Sequence, residues 1–163
     1  MLTVLLAGRR ALPRAAEAQK TIKVGMPMPL SGPPALFGEP ASKGAQMLVD
    51  EVNAKGGVLG GRKLELIVRD SKADANEAVR VARELILKDN VDFLVGTLTS
   101  AEGPAVSVVA EANKIVFIAP IPKTDQLTAA DKLHPYIFRV ASTCTIEGRT
   151  AAELVAKWGV KRV

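Results

Sequence analysis

Few residues in this chain carry groups able to make or break bonds, and none stands in a catalytic pattern. Cys144 is the single cysteine and His134 the single histidine. The sharp reading of Cys144 is a catalytic thiol; the plainer one, preferred here, is a small apolar packing residue. One cysteine rules out an intrachain disulfide and is silent on compartment. His134, followed by Pro135 and with no second histidine or cysteine nearby, is a poor metal ligand and reads as a surface or turn histidine. Asp70 and Asp74 could form an acid or metal pair, but Asp74 reads better as a helix cap and Asp70 as a turn acceptor. Gly56-Gly57-Val58-Leu59-Gly60-Gly61 follows a helical segment and precedes a strand, the reverse of a dinucleotide fingerprint. No G-x-x-x-x-G-K-[ST], G-x-S-x-G or Ser/His/Asp order is present. The expectation is therefore a protein without catalytic residues, cofactor or metal, whose work is binding.

The stretch best suited to binding is Val91–Ser100. It begins as the short apolar run of a buried parallel strand and ends in the polar turn Gly96-Thr97-Leu98-Thr99-Ser100. That turn opens onto the helix-like segment Ala101–Ala112. In an open α/β sheet the crevice at the carboxyl ends of strands receives ligands, and a helix N-terminus there favours an anion such as a carboxylate. The turn is read as half of a small-molecule site.

The elements that must position it alternate. Strands are predicted at Ile22–Met28, Lys63–Arg69, Val91–Val95, Ile115–Ala119 and Tyr136–Val140. The spacing of apolar residues predicts helices over Ala41–Ala54, over the segment capped by Asp74 and Glu77, over Ala101–Ala112 and over Thr145–Trp158. In the last, Ala151, Ala152, Leu154, Val155 and Trp158 are expected to face inward, Trp158 as a core residue. Pro29–Pro34 and Pro120–Gln126 are polar or proline-rich turns after strands. This rhythm defines an α/β fold with a parallel, doubly wound sheet.

Composition agrees with a single domain: 163 residues, 48% hydrophobic and 24% charged. The net charge of +5 comes from scattered basic residues, with only 4% aromatics, so no nucleic acid partner is expected. Residues 1–18 read as a degenerate or truncated signal peptide, with the apolar Met1–Ala7, three arginines and an A-x-A sequence at Ala16–Ala18. Removing its three Arg and one Glu lowers the charge from +5 to +3. Nothing there approaches the roughly 20 apolar residues of a membrane span.

The residues IKVGMPMPLSGPPALFGEPASKGAQMLVDEVNAKGGVLGGRKLELIVRDSKAD resemble the opening of the branched-chain amino-acid (leucine/isoleucine/valine) family of periplasmic binding proteins. These are the type I, two-lobed solute receptors of ABC importers. The resemblance is carried by Pro29-Leu30-Ser31-Gly32, Phe37-Gly38, Gly44-Ala45, Asn53-Ala54-Lys55-Gly56-Gly57, Gly61-Arg62-Lys63-Leu64, Asp70, and Val95-Gly96 followed by Ser100. It implies that 19–163 is the N-terminal ligand-binding lobe. It also implies export to the periplasm, a membrane permease as partner, and capture of an amino acid or related carboxylate. Carried over by position, it places Leu98, Thr99 and Ser100 in one ligand loop, with the Ser100 hydroxyl and N–H on the carboxylate. Ile121, Lys123 and Thr124 fall in a second loop, and Phe37 at the pocket mouth. Ala73 and Thr99 stand where some members carry a disulfide.

Two departures shape the expectation. Pro122 and Lys123 replace a small residue and a threonine, which removes one N–H and adds a cation that suits an organic or aromatic acid. A second lobe is expected to be missing, so that one wall of the site alone would bind weakly. The alternative of another class is a ligand-sensing regulatory domain of the same architecture. A flavodoxin-like or Rossmann enzyme shares the rhythm but needs a phosphate loop or catalytic set that the sequence lacks.

Overall fold

The computed structural model describes residues 21–159 and Arg162; the segment read as a signal peptide lies outside them. The elements run β1 (Ile22–Met28), α1 (Ala35–Ala54), β2 (Leu64–Asp70), α2 (Ala75–Leu87), β3 (Phe93–Val95), α3 (Glu102–Asn113), β4 (Val116–Ala119), a 3-10 turn (Asp125–Thr128), β5 (Ile137–Arg139) and α4 (Cys144–Lys157). All five strands are parallel, in the order β2-β1-β3-β4-β5. The fold is the α/β, doubly wound sheet that the alternation predicts.

The chain leaves β1 through α1 to β2, then returns through α2 to place β3 on the other side of β1. Right-handed crossovers put these two helices on opposite faces of the sheet. The direction of winding reverses between β1 and β3, so the topological switch point lies there.

The core forms where α2 and α3 pack on the sheet. Ala78, Ala82 and Leu85 of α2 and Val106, Val109 and Ala110 of α3 close over Leu94, Phe117, Ala119 and Ile137. On the alternate strand positions Phe93, Val95, Val116 and Ile118 are only half-buried, and Phe138 is 53% exposed. One face of the sheet is dry and the other partly open.

Most predicted boundaries agree within a residue or two, the usual ambiguity of element ends. The exception is α1, which begins at Ala35 and carries Pro40 inside it. Proline lacks the N–H that would bond the Leu36 carbonyl, but Leu36 is exposed and water can satisfy that oxygen. The Pro-rich turn before it, Pro29–Pro34, keeps its predicted extent.

Three further expectations are corrected. No residue of α4 is buried, and Trp158 is 69% exposed, so its apolar stripe meets no core among the described residues. Its spacing is that of an amphipathic helix, yet its links to the rest are polar and come from its first turn. Cys144, at the start of α4, is exposed and not a packing residue. His134 lies in the loop before β5 but is buried, not on the surface. No described helix is long and apolar enough to cross a membrane.

Candidate functional site

The carboxyl ends of the strands around the switch point carry the loops after β1, β2, β3 and β4. After β3 the chain turns sharply at Gly96, whose φ of +139° is unsuited to a side chain. A Cβ there would also stand 2.8 Å from the Pro27 carbonyl oxygen. The Gly96 N–H donates to the Ile118 carbonyl and that of Thr97 to the Pro27 carbonyl, at 3.1 and 2.8 Å. The turn is thus pinned to both neighbouring strands. Thr97 is fully buried with a φ of +64°, and its hydroxyl has no partner among the described residues.

Beyond it, Thr99 and Glu102 cap α3 reciprocally. The Glu102 N–H donates to Thr99 Oγ1 at 3.2 Å, and the Thr99 N–H donates to Glu102 Oε2 at 2.8 Å. This is a capping box, with Thr99 in the capping position. The same Oε2 accepts the Leu98 N–H at 3.2 Å, while the Ser71 hydroxyl donates to Oε1 at 2.5 Å. Glu102 and Ser71 are both fully buried. Ser100 sits at the exposed crest of the turn, and neither its hydroxyl nor its N–H is bonded to another described residue. The backbone donors of Leu98 and Thr99 are engaged; those of Ser100 are open.

The signal for Glu102 lies in the sequence. Thr99-Ser100-Ala101-Glu102 has the spacing of a capping box, a pattern overlooked when the segment is weighed for ligand contacts alone.

The loop after β4 lies against this turn. A Cβ on Gly103 would stand 2.8 Å from Pro122 Cβ, so only glycine lets the first turn of α3 approach so closely. Ile121 is half-buried and Pro122 buried. Lys123 points its ammonium at Glu147 of α4, Nζ to Oε1 2.6 Å. Thr124 accepts the Gln126 N–H at 3.4 Å and so caps the 3-10 turn. Arg139 donates to the carbonyls of Lys123 and Thr124. The Cys144 N–H donates to the Lys123 carbonyl at 2.8 Å, and the Thr145 N–H to Asp125 at 3.2 Å. The loop is therefore the anchorage of α4.

Asp70 is the turn acceptor that the sequence suggests. It takes the N–H groups of Leu30 and Lys72 at 2.8 and 2.9 Å, joining the loops after β1 and β2. Burial opposes its charge, but these bonds and one from the Ser31 hydroxyl outweigh it and hold the carboxyl below its ordinary value. Phe37, in the first turn of α1, is 66% exposed.

A cavity of about 570 Å³ lies elsewhere, between α3, the 3-10 turn and the loop before β5. His134 is at its wall, 2.8 Å from the Ser107 hydroxyl. Its Nδ1 accepts the Tyr136 N–H at 3.2 Å. In a neutral ring Nε2 then carries the proton and donates to Ser107, so the imidazole cannot act as base toward that hydroxyl. Among the described residues no group of His, Cys, Asp and Glu could hold a metal.

A parallel sheet of this order is an open α/β lobe of the kind that receives ligands at its switch point, and the chain belongs to the periplasmic binding protein family, whose profile matches residues 21–163. Among curated relatives, Leu/Ile/Val-binding protein homolog 7 of Brucella suis biovar 1 (strain 1330) is 37% identical over 127 residues, covering 78% of this chain and 30% of the relative. The Leu/Ile/Val-binding protein of Escherichia coli (strain K12) is 33% identical over 152 residues, covering 93% and 40%. Among solved structures, the branched-chain amino acid transporter substrate binding protein LivJ from Streptococcus pneumoniae, in complex with isoleucine, superposes with a TM-score of 0.69 at 34% identity, covering 76% of this chain and 34% of that one. A solute binding protein of an ABC transporter from Rhodopseudomonas palustris HaA2, in complex with p-hydroxybenzoic acid, gives 0.72 at 30% identity, covering 85% and 36%. The chain thus spans well under half the length of these relatives.

Proposed function

We propose that this chain forms one ligand-binding wall of an exported, non-catalytic solute-binding protein of an ABC importer, working in the periplasm with a membrane permease. Its ligand is a branched-chain amino acid or a related small carboxylate. The observation that carries the reading is Ser100: an open hydroxyl and N–H on a rigid turn at the β1/β3 switch point. A hydroxyl and an N–H side by side suit a carboxylate. Leu98, Thr99, Ile121 and Thr124 belong to the same wall, and Phe37 stands at its rim. The relatives named for Leu, Ile and Val, and the neighbours holding isoleucine and p-hydroxybenzoic acid, support both ligand classes. The Lys123 cation no longer selects between them, because Glu147 already neutralises it.

Calorimetric titration of the protein with L-isoleucine and with 4-hydroxybenzoate tests the reading. Binding of one class is expected, and silence across both overturns it. Ser100→Ala is expected to remove a charge-assisted hydrogen bond worth about 1.5–3 kcal/mol. An unchanged dissociation constant in that variant would take Ser100 out of the site.

A further inference from the structure

Beneath the open crest of Ser100 lies a carboxyl group that no ligand reaches. Glu102 is fully buried at the start of α3, and an unpaired buried carboxylate is costly. Here three donors meet it: the Leu98 N–H, the Thr99 N–H and the Ser71 hydroxyl. The two N–H groups are those a ligand anion could otherwise use at this helix start. The Glu102 N–H is itself closed by Thr99 Oγ1, and the Gly103 N–H by the Thr99 carbonyl at 3.2 Å. Ser71 is in turn fixed, since its N–H donates to the Met28 carbonyl at 3.1 Å. A continuous set of bonds thus runs from the end of β1, through the loop after β2, to the turn after β3.

We propose that Glu102, braced by Ser71, is the positioning residue of the Ser100 site: a resident acceptor that shapes the turn, occupies the Leu98 and Thr99 N–H groups and leaves a ligand's carboxylate to Ser100. The proposal rests on the reading of Ser100 as a ligand contact. It adds that the sharpness of that contact is set by a residue the ligand does not touch.

The test compares Glu102→Ala, Glu102→Gln and Ser71→Ala with the wild-type protein. Two readouts are used: calorimetric titration with L-isoleucine and 4-hydroxybenzoate, and amide hydrogen exchange at Leu98 and Thr99, which needs no ligand. Glu102→Ala is expected to weaken binding and to speed exchange of both amides, each by about tenfold or more, because two half-buried donors lose their acceptor. Glu102→Gln keeps an oxygen for the two N–H groups and an NH2 for Ser71, so it is expected to restore both readouts to within about threefold. Wild-type affinity or wild-type exchange in Glu102→Ala overturns the proposal, as does a Gln variant no better than the Ala variant. If Glu102→Ala fails to fold, Ser71→Ala decides. It leaves the capping box intact but takes the donor from the buried Glu102 Oε1, so it is expected to lower the melting temperature and, at a temperature where the protein stays folded, to lower affinity about threefold; an unchanged affinity there overturns the proposal. A wild-type protein that binds neither probe defeats the proposed function, while the exchange arm still judges what holds the turn.

Discussion

At Lys123 the ammonium lies 2.6 Å from Glu147, and each side chain is about half exposed. The Lys123 hydrogen bond, then that of the Ser142 hydroxyl, holds the Glu147 carboxyl below its ordinary value. A carboxyl held low in the folded state adds stability above the unfolded value, and that contribution is lost as pH falls through the folded one. Acidification below about 4.3, the ordinary glutamate value, should therefore begin to loosen α4 from the loop after β4. Carbon-detected NMR is expected to show Glu147 titrating below that value, and Lys123→Met is expected to move the midpoint back up. An unmoved midpoint would mean that Lys123 does not hold it. The pair was not legible beforehand because its members are 24 residues apart in sequence and meet only through the fold. The turn after β3 was legible, since an apolar run ending in a polar turn is a local pattern, whereas only the family resemblance singles out Ser100 within it. Glu102 was legible in the same local sense, but only as a cap; that its second oxygen bonds Ser71, 31 residues away, was not.

Helices α2 and α4 share an amphipathic spacing and meet opposite ends. Ala78, Val81, Ala82 and Leu85 of α2 are buried against strands and α3, whereas Ile146, Leu154 and Trp158 of α4 remain exposed. Periodicity is a property of the helix; burial depends on what faces it, and the sequence pattern carries only the first. The start of α2 tests the local half of that statement. Asp74 accepts the Glu77 N–H at 2.8 Å, so Asp74→Ala should cost about 1 kcal/mol in urea denaturation. A null result would show that the cap adds nothing. At the contact between α3 and the loop after β4, Gly103→Ala is expected to cost about 1–3 kcal/mol, because Pro122 leaves no room for a methyl group. It should also weaken ligand binding by parting the two loops. Full stability in that variant would show that the loop yields freely.

Across the molecule, the alternation of elements was enough to give the parallel α/β class. The order β2-β1-β3-β4-β5 was not legible, because it depends on which way each crossover turns, and no residue pattern records that. The half-open sheet face was not legible for a related reason: Phe93, Val95, Val116 and Ile118 read as continuous apolar strands whether one face is covered or both. The order also has a kinetic side. The Asp92 carboxylate accepts the Lys23 N–H across a separation of 69 residues, and the β1–β3 seam it borders joins segments farther apart in sequence than any other strand pairing here. Closing distant segments carries the larger entropic cost and slows folding. In pulsed amide exchange during refolding, the β1–β3 seam should gain protection after β3–β4 and β4–β5. Any ligand binding by the loops after β1 and β3 should then arrive in that same late phase, since they meet only once the seam has zipped. Earlier species would carry helices and a partial sheet, yet have nowhere to receive a solute.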